Sequence, residues 1–303
     1  MNNPNDSGGS PPLSPPPDPN EHPPTRYAVP AGAVDAHSHI VGDGVSNPFV
    51  PERSFTPVPA PLQDYLSMLD ATGMTYGVVV QISAHGTDNS LMVETLRANP
   101  DRLRGIAVAP YDLPDKRLAE LKDAGVVGLR LNTVSGGGIG LDHLADYESL
   151  CEEMGWHLQF LAQADRLEPI AGRLSKLRVP FVIDNMGYFD VGAGIDSPGW
   201  QQLLKLAADG GWVKLDGVYR LSKTPPYTDA VAFAQSLLDV AADRCVWGSD
   251  WPHVGFWGPM PNVGALLDVL ADWAPDTSIR DAILVDNPHA LYGFGAGTGS
   301  AAG

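Results

Sequence analysis

Two short apolar runs, about two hundred residues apart, each end in side chains that can do acid–base or metal chemistry. The first ends in the pair His37-x-His39 and the second at Asp250. On a β-strand, residues i and i+2 point to the same side, so the His37 and His39 rings can meet at one point. A carboxylate beside two imidazoles can act as a general base toward water or complete the ligand set of a metal ion. We therefore take His37, His39 and Asp250 as the candidate catalytic residues.

Other apolar runs also end in polar side chains, which are candidates for holding a substrate. Arg130 and Arg220 carry guanidinium groups, whose fork of donors suits bidentate capture of a carboxylate or sulfonate. His253 follows the second run and joins this set. For His85, the anchoring of a loop and contact with a substrate are equally open interpretations.

Eight apolar runs rich in β-branched residues alternate along the chain with longer amphipathic stretches. In residues 62–69, for instance, apolar side chains recur three or four positions apart, as on one face of a helix. Eight strands that are each followed by a helix are typical of a single (β/α)8 TIM-type barrel. The alternative, an open doubly wound sheet, is disfavoured because no Gly-rich phosphate turn follows the first strand. The predicted strands span residues 33–40, 76–82, 104–109, 126–131, 157–161, 181–184, 212–215 and 245–247.

A closed barrel brings the two catalytic clusters together. Its first and eighth strands are neighbours, and barrel enzymes carry their chemistry at the C-terminal ends of the strands. His37, His39 and Asp250 all lie at such ends. The same reasoning leaves Asp184 and Asp216, after the sixth and seventh strands, open to a supporting role.

The two ends of the chain differ in composition from its middle. Residues 1–29 are rich in Pro, Ser and Asn, a composition that buries too little apolar area to offset the entropy of ordering. We predict a disordered tail over 1–29, the barrel over 30–294 and a flexible C-terminus over 295–303.

Charge and composition exclude several classes of partner. The net charge is −17, with 19 Lys and Arg against 36 Asp and Glu, so a nucleic-acid partner is not expected. An apolar run of about 18 residues, the length needed to span a bilayer, is absent from the sequence, and we expect no membrane partner. Two cysteines without metal-like spacing fit a reducing compartment, and the expected location is the cytoplasm. The sequence does not indicate an oligomeric state.

The chain resembles the amidohydrolase-related family from about residue 31 to residue 294. Within that family it is similar to the branch of lactonases that open 2-pyrone-4,6-dicarboxylate and sulfomuconolactone. The motifs are jointly specific rather than decisive one by one. The resemblance rests on Asp35-Ala36-His37-Ser38-His39, Val80-Gln81-Ile82-Ser83, Gly128-Leu129-Arg130-Leu131-Asn132, Asp184-Asn185-Met186-Gly187, Lys214-Leu215-Asp216-Gly217-Val218-Tyr219-Arg220 and Trp247-Gly248-Ser249-Asp250-Trp251-Pro252-His253.

The resemblance implies a role for each matching residue. Asp250 would activate the attacking water, while His37 and His39 would polarise the lactone carbonyl or hold a metal that does. The acidic groups of the substrate would be held by Arg130, Arg220, Ser83 and Tyr219. Lactone opening needs a deprotonated water and a donor-rich place for the tetrahedral oxyanion, which agrees with this division.

One motif departs from the family pattern. Where the family usually has Asp-His-Met-Gly after the sixth strand, this chain has Asn185 in place of the histidine. Asn185 can hydrogen-bond to a substrate carbonyl, but it is a poor transition-metal ligand and accepts no proton. A metal site would then rest on His37, His39 and Asp250 alone. We expect a metal-free site, with a single zinc or manganese ion at these three residues as the alternative.

Three functions stay open at this point. The favoured one is hydrolysis of a small anionic lactone, with Asp250 as general base, in the breakdown of aromatic compounds or sugar acids. The second is a lactone isomerase or decarboxylase on the same barrel, with proton transfer at carbon. The third is a catalytically degenerate barrel that binds a small ligand, an alternative that the replacement at Asn185 keeps open.

Overall fold

The computed structural model describes residues 10–295, and residues 1–9 and 296–303 lie outside the described part. Eight parallel strands follow one another around a barrel in sequence order, each paired with the next. They are β1 (Val34–Ser38), β2 (Tyr76–Val80), β3 (Leu103–Ala107), β4 (Val126–Asn132), β5 (His157–Leu161), β6 (Phe181–Ile183), β7 (Trp212–Leu215) and β8 (Cys245–Trp247). The predicted (β/α)8 barrel is thereby confirmed, and the bounds predicted for the fifth, seventh and eighth strands match those observed.

Helices follow the strands and pack around the outside of the barrel. The α-helices are α1 (Leu62–Thr72), α2 (Ser90–Ala98), α3 (Asp115–Ala124), α4 (Leu144–Met154), α5 (Glu168–Leu174), α6 (Pro198–Ala208), α7 (Val218–Leu221), α8 (Val231–Ala241), α9 (Val263–Trp273), α10 (Thr277–Asp281) and α11 (Asn287–Tyr292). Within residues 10–295, none of the helices is both long and apolar enough to cross a membrane.

The barrel closes through the residues that follow β1 and β8. The amide of Asp250 donates to the carbonyl of His37 at 2.9 Å, and the amide of His39 donates to the carbonyl of Trp251 at 2.8 Å. Below these contacts, the buried carboxylate of Asp35 accepts the amide and the hydroxyl of Ser249, both at 2.7 Å. We call this junction between β1 and the residues after β8 the seam of the barrel. The catalytic candidates from the two ends of the sequence therefore lie next to each other at the seam.

The apolar core lies mainly between the strands and the surrounding helices, where a large cluster joins side chains from most elements. A smaller cluster combines β1, β2, β3 and β8 with Tyr292 and Phe294 near the C-terminus. The interior of the barrel near the C-terminal ends of the strands is polar instead. Several fully buried side chains there carry charge or hydrogen-bonding groups, among them His37, Gln159, Asp184 and Lys214.

Residues 10–29, part of the segment predicted to be a disordered tail, contact the barrel through hydrogen bonds. The amides of Thr25 and Arg26 both donate to Asp268 on α9, and the Tyr27 hydroxyl donates to the carbonyl of Leu267. The prediction of disorder considered apolar burial only, and composition does not reveal hydrogen bonds of this kind. The predicted disorder of residues 1–9 and the flexibility of residues 296–303 concern residues outside the described part.

Candidate active site

The C-terminal ends of the strands surround a cavity of about 200 Å³. Side chains after β1, β2, β4, β6, β7 and β8 face it, so the chain brings residues from most of its length to one place. The lining residues are His39, Ser54, Phe55, Ile82, Ser83, Arg130, Val134, Ser135, Leu161, Asn185, Tyr188, Arg220, Asp250, Val254, Gly255 and Trp257.

Asp250 has one oxygen fully engaged and one facing the cavity side. Its Oδ2 accepts the Tyr219 hydroxyl at 2.6 Å and Arg220 Nε at 2.8 Å, with the Asn185 amide at 3.4 Å. Its Oδ1 lies 3.9 Å from His39 Nε2. Burial alone would raise the pKa of Asp250, but Arg220, His39 and Tyr219 outweigh it and lower the pKa to about 2. The carboxylate is therefore ionised across the physiological range.

His39 presents a hydrogen-bond acceptor toward Asp250. Its Nδ1 lies 2.8 Å from the carbonyl oxygen of Val80, which can only accept, so Nδ1 carries the hydrogen. Burial, and next the Arg130 guanidinium, lower the pKa of His39 to about 4. The ring is then neutral near pH 7, with the Nε2 lone pair directed at the gap beside Asp250 Oδ1.

His37 lies one layer deeper and does not line the cavity. Residues i and i+2 on a strand stand about 6–7 Å apart along its axis, so the two histidines share a side but not a depth. His37 Nδ1 lies 2.6 Å from Asp216 Oδ2 and 3.8 Å from Asp184 Oδ1. Burial, and next the Lys214 ammonium, lower the pKa of His37 well below its ordinary value. The short contact with Asp216 fixes the orientation of the ring.

A buried ionic cluster supports the floor of the cavity. Asp184 Oδ2 accepts Arg130 Nε and Gln159 Nε2, each at 2.9 Å, while Lys214 Nζ lies 3.4 Å from Asp184 Oδ1. All four side chains are buried. Arg130 thus both lines the cavity and pairs with a buried carboxylate.

Arg220 and Tyr219 reach Asp250 from α7, directly after β7. The second anchor of Arg220 is the carbonyl of Val254, which accepts Nη2 at 2.9 Å. Tyr219 is buried behind the carboxylate, and its hydroxyl also lies 3.1 Å from His253 Nδ1. Tyr219 and His253 therefore act on the cavity through Asp250.

Several residues in and beside the cavity wall adopt a left-handed backbone. In the wall, the φ angles of Asn185, Tyr188 and Asp250 are 49°, 47° and 58°, and behind it that of His253 is 61°. Non-glycine residues adopt this region rarely, and strain of this kind clusters at functional sites. The Asn185 amide and the Asp250 carboxylate lie in contact, with Nδ2 3.4 Å from Oδ2.

Two of the predicted substrate contacts have another position in the fold. His85 is packed under the loop after β1, where its Nε2 accepts the Gly42 amide at 3.1 Å and its ring lies 5.0 Å from that of Phe49. This is the loop-anchor interpretation. His253 is fully buried and lies outside the cavity wall. Neither placement could be read from the sequence, because a position near a strand end does not reveal which way a loop side chain turns.

Part of the cavity wall was not identified from the sequence. Tyr188 directly follows the Asp184-Asn185-Met186-Gly187 motif without belonging to it, Ser135 lies in a loop without a motif, and Gly255 contributes backbone only. The contact between Asp216 and His37 was equally hidden, since it depends on the relative depth of β1 and β7. A carboxylate at a strand end was the only available indication for Asp216.

His37, His39 and Asp250 have the chemistry of a site for one divalent ion. Each offers one ligand atom, and these atoms lie within 4.8 Å of one another. His37 Nε2 is buried and has no hydrogen-bond partner among the described residues. Three protein ligands with an open position are typical of catalytic zinc. The Arg220 guanidinium on Asp250 opposes a dication, because it already neutralises the carboxylate.

The chain is similar over most of its length to known lactone-converting enzymes. It is 36% identical to a 4-sulfomuconolactone hydrolase of Rhizobium radiobacter over 89% of this chain and 93% of the relative. Identity is 35% to a 2-pyrone-4,6-dicarboxylate hydrolase of Comamonas testosteroni, over 88% and 92% of the two chains. A D-galactarolactone isomerase of Agrobacterium fabrum is 30% identical over 88% and 92%.

Solved structures and a family model agree with this similarity. A probable 2-pyrone-4,6-dicarboxylic acid hydrolase from Acinetobacter baumannii, solved with citric acid bound, superposes with a TM-score of 0.76 at 29% identity, covering 87% of this chain and 100% of that one. The amidohydrolase family model matches residues 34–294. The resemblance stated from the motifs is confirmed, and the protein is an enzyme that belongs to the amidohydrolase family.

Proposed function

We propose that the protein hydrolyses a small lactone that carries carboxylate or sulfonate groups. The observation that carries this proposal is the Asp250 carboxylate, which keeps Oδ1 free beside a neutral His39 in a cavity with two guanidinium groups. The names of the hydrolases at 35% and 36% identity support the same reaction class.

Asp250 is proposed as the general base toward water. Its Oδ2 is held by Tyr219 and Arg220, which leaves Oδ1 to accept a proton. A water that donates one hydrogen to Oδ1 and the other to His39 Nε2 would turn its lone pair into the cavity. The pKa of about 2 makes Asp250 a weak base in the free enzyme. A substrate anion that shares Arg220 would strengthen it.

The cavity suits a compact anion. A volume of about 200 Å³ is below the usual range for drug-sized ligands, so a single ring with short substituents is the expected size. The Arg130 and Arg220 guanidinium groups offer the donors for its acidic groups, with the Ser83 hydroxyl on the same wall.

The proposed reaction balances with water as the only co-substrate. Asp250 takes a proton from water, and the oxygen attacks the lactone carbonyl to form a tetrahedral oxyanion. The Asn185 amide and the Arg220 guanidinium are donors near this oxyanion. Collapse breaks the ring C–O bond, and protonated Asp250 returns its proton to the leaving oxygen. A metal bound at His37, His39 and Asp250 would add Lewis-acid polarisation of the carbonyl.

One alternative to hydrolysis is isomerisation of a lactone by proton transfer. It is favoured by the name of the relative at 30% identity, a D-galactarolactone isomerase. The test is turnover of 2-pyrone-4,6-dicarboxylate, 4-sulfomuconolactone and D-galactarolactone in water enriched in oxygen-18, with mass spectrometry of the product. Hydrolysis places one heavy oxygen in the opened acid. A product of unchanged oxygen mass would support the isomerase, loss of CO₂ a decarboxylase, and binding without turnover a degenerate barrel.

A further inference from the structure

Residues 11–14, which we call the mouth strap, pair with the loop that follows β1. The amide of Ser14 donates to the carbonyl of Thr56, and the amide of Thr56 donates to the carbonyl of Pro12, both at 2.8 Å. The Thr56 hydroxyl also donates to the carbonyl of Pro11. The neighbours of Thr56 in this loop, Ser54 and Phe55, line the cavity.

The same strap holds the loop that follows β8. The amide of Gly255 donates to Ser14 Oγ at 2.7 Å, and the indole N–H of Trp257 donates to the carbonyl of Leu13 at 2.9 Å. Gly255 and Trp257 both line the cavity. Ser14 is almost completely buried by these contacts. One short segment therefore fastens two sides of the cavity mouth.

The two loops also touch each other beneath the strap. A Cβ built on Gly255, whose φ is +68°, would lie 3.1 Å from Phe55 Cδ1. The loops are thus packed together with little room, and the strap secures them in that arrangement. Trp257, half-exposed at the rim, is held over the opening by its bond to the strap.

The strap is anchored to the barrel a few residues further along the chain. Glu21 Oε2 accepts the amide of Val263, the first residue of α9, at 2.7 Å. Arg26 pairs with Asp272 at 2.6 Å on the same helix. This anchoring limits how far the strap can lift from the mouth. The family model begins at residue 34, so the strap lies outside the region that the family shares.

We propose that the mouth strap is a specificity-determining element that limits the size of the molecule able to reach Asp250. It acts by holding the loops after β1 and β8 closed over the cavity. The proposal concerns access and holds for whichever reaction the cavity carries out. Removal of the Ser14 hydroxyl should leave the half-buried Gly255 amide without its partner in the strap, which favours opening of the loop after β8.

Thiol labelling tests this gate without any substrate. Ser83 is buried on the cavity wall, and the native Cys151 and Cys245 are both fully buried, so Ser83→Cys places one reactive thiol inside the cavity. Its labelling rates are measured with iodoacetamide and with the much larger fluorescein maleimide. Adding Ser14→Ala should raise the rate of labelling by fluorescein maleimide by about 10-fold. The rate of labelling by iodoacetamide should change by less than about 2-fold.

Control variants separate gating from general loosening. Ser10→Ala lies in the same segment at an exposed position and should leave both rates unchanged. Trp257→Phe removes the donor of the hydrogen bond to the Leu13 carbonyl, on the loop after β8 instead of on the strap. It should raise the labelling rate of the large reagent as Ser14→Ala does. Hydrogen exchange of the Gly255 amide should accelerate in Ser14→Ala. Equal acceleration of both reagents, or unchanged labelling in both Ser14→Ala and Trp257→Phe, would overturn the proposal.

Discussion

At the scale of single residues, the proposed function depends on the different contacts of the two carboxylate oxygens of Asp250. Oδ2 accepts the donors of Tyr219 and Arg220, and this keeps Oδ1 directed at the space beside His39. The proposed base is thus oriented by its hydrogen bonds and kept ionised by the adjacent guanidinium. The pKa of Asp250 is low in the free enzyme because Arg220 lies against it. In the proposed mechanism, an anion bound at Arg220 would raise this pKa and make Asp250 a stronger base.

Asp250→Asn removes the proton acceptor while keeping an oxygen for Tyr219 and Arg220. We expect kcat to fall by about 10³-fold, within the range that general-base catalysis contributes. Binding should change little because Arg130 and Ser83 stay in place. Stopped-flow ring opening measures kcat, and calorimetric titration measures binding. Activity within a few-fold of the wild type would exclude Asp250 as the base.

Arg130→Lys tests the capture of an acidic group. The ammonium can still pair with Asp184, but a point charge replaces the fork, so we expect KM to rise by about 10-fold with a smaller change in kcat. Arg178→Lys, at an exposed arginine, is the matched control and should leave both constants unchanged. A fall in kcat with constant KM would assign Arg130 to the transition state instead.

At the scale of elements, the eight strands were predictable and loop geometry was not. The pattern of apolar runs predicted β5, β7 and β8 to the residue, because each is short, apolar and bounded by polar positions. His39, Arg130 and Asp250 were identified because barrel strands end at one face. The positions of His85 and His253 beside the cavity could not be predicted, because loop turns decide where these side chains lie. The depth of His37 depends on packing between strands.

The N-terminal segment illustrates the same limit. Its proline-rich composition predicted disorder, yet backbone and side-chain hydrogen bonds fasten residues 10–29 to the barrel. Such bonds depend on the shape of a surface that forms from the rest of the chain. Composition measures only how much apolar area a segment can bury.

Glu21 makes the docking of this segment pH-dependent. Burial raises the pKa of Glu21 to about 7. Because the folded chain binds this proton more tightly than the unfolded chain, the stabilising contribution is complete below the ordinary pKa of glutamate. It is lost as the pH rises through about 7. We expect the contribution of Glu21 to the Tm of the wild type to decline between pH 5 and pH 8.

Glu21→Gln should flatten that decline, since the amide does not titrate and still offers an oxygen to the Val263 amide. Glu153→Gln, at an exposed position on α4, is the control and should keep the wild-type pH dependence. Thermal unfolding at several pH values measures the effect. The same decline in Glu21→Gln as in the wild type would assign it to other groups.

At the scale of the whole molecule, one seam joins the ends of the chain and assembles the site. Asp35 on β1 accepts the amide and hydroxyl of Ser249 after β8 and the hydroxyl of Tyr65 on α1. This buried carboxylate connects the first strand, the first helix and the last strand. The relative position of His39 and Asp250 follows from it.

Asp35→Ala should therefore destabilise the whole barrel. It removes the acceptor of four buried donors, the amides of His37 and Ser249 and the hydroxyls of Ser249 and Tyr65. We expect a loss of about 3 kcal/mol or more in the free energy of unfolding. Asp35→Asn keeps one acceptor and should lose less. Denaturant unfolding followed by circular dichroism compares the two. Equal stability of Asp35→Ala and the wild type would mean that the seam is held by backbone pairing alone.

The most direct measurement is the ultraviolet-monitored opening of 2-pyrone-4,6-dicarboxylate by chelator-treated wild-type enzyme and Asp250→Asn, side by side. We predict turnover by the wild type without added metal and a loss of about 10³-fold in the variant. Turnover that appears only after zinc or manganese is added would contradict the metal-free assignment and make His37, His39 and Asp250 the metal ligands. Equal turnover by the two proteins would contradict the role of Asp250 as the base.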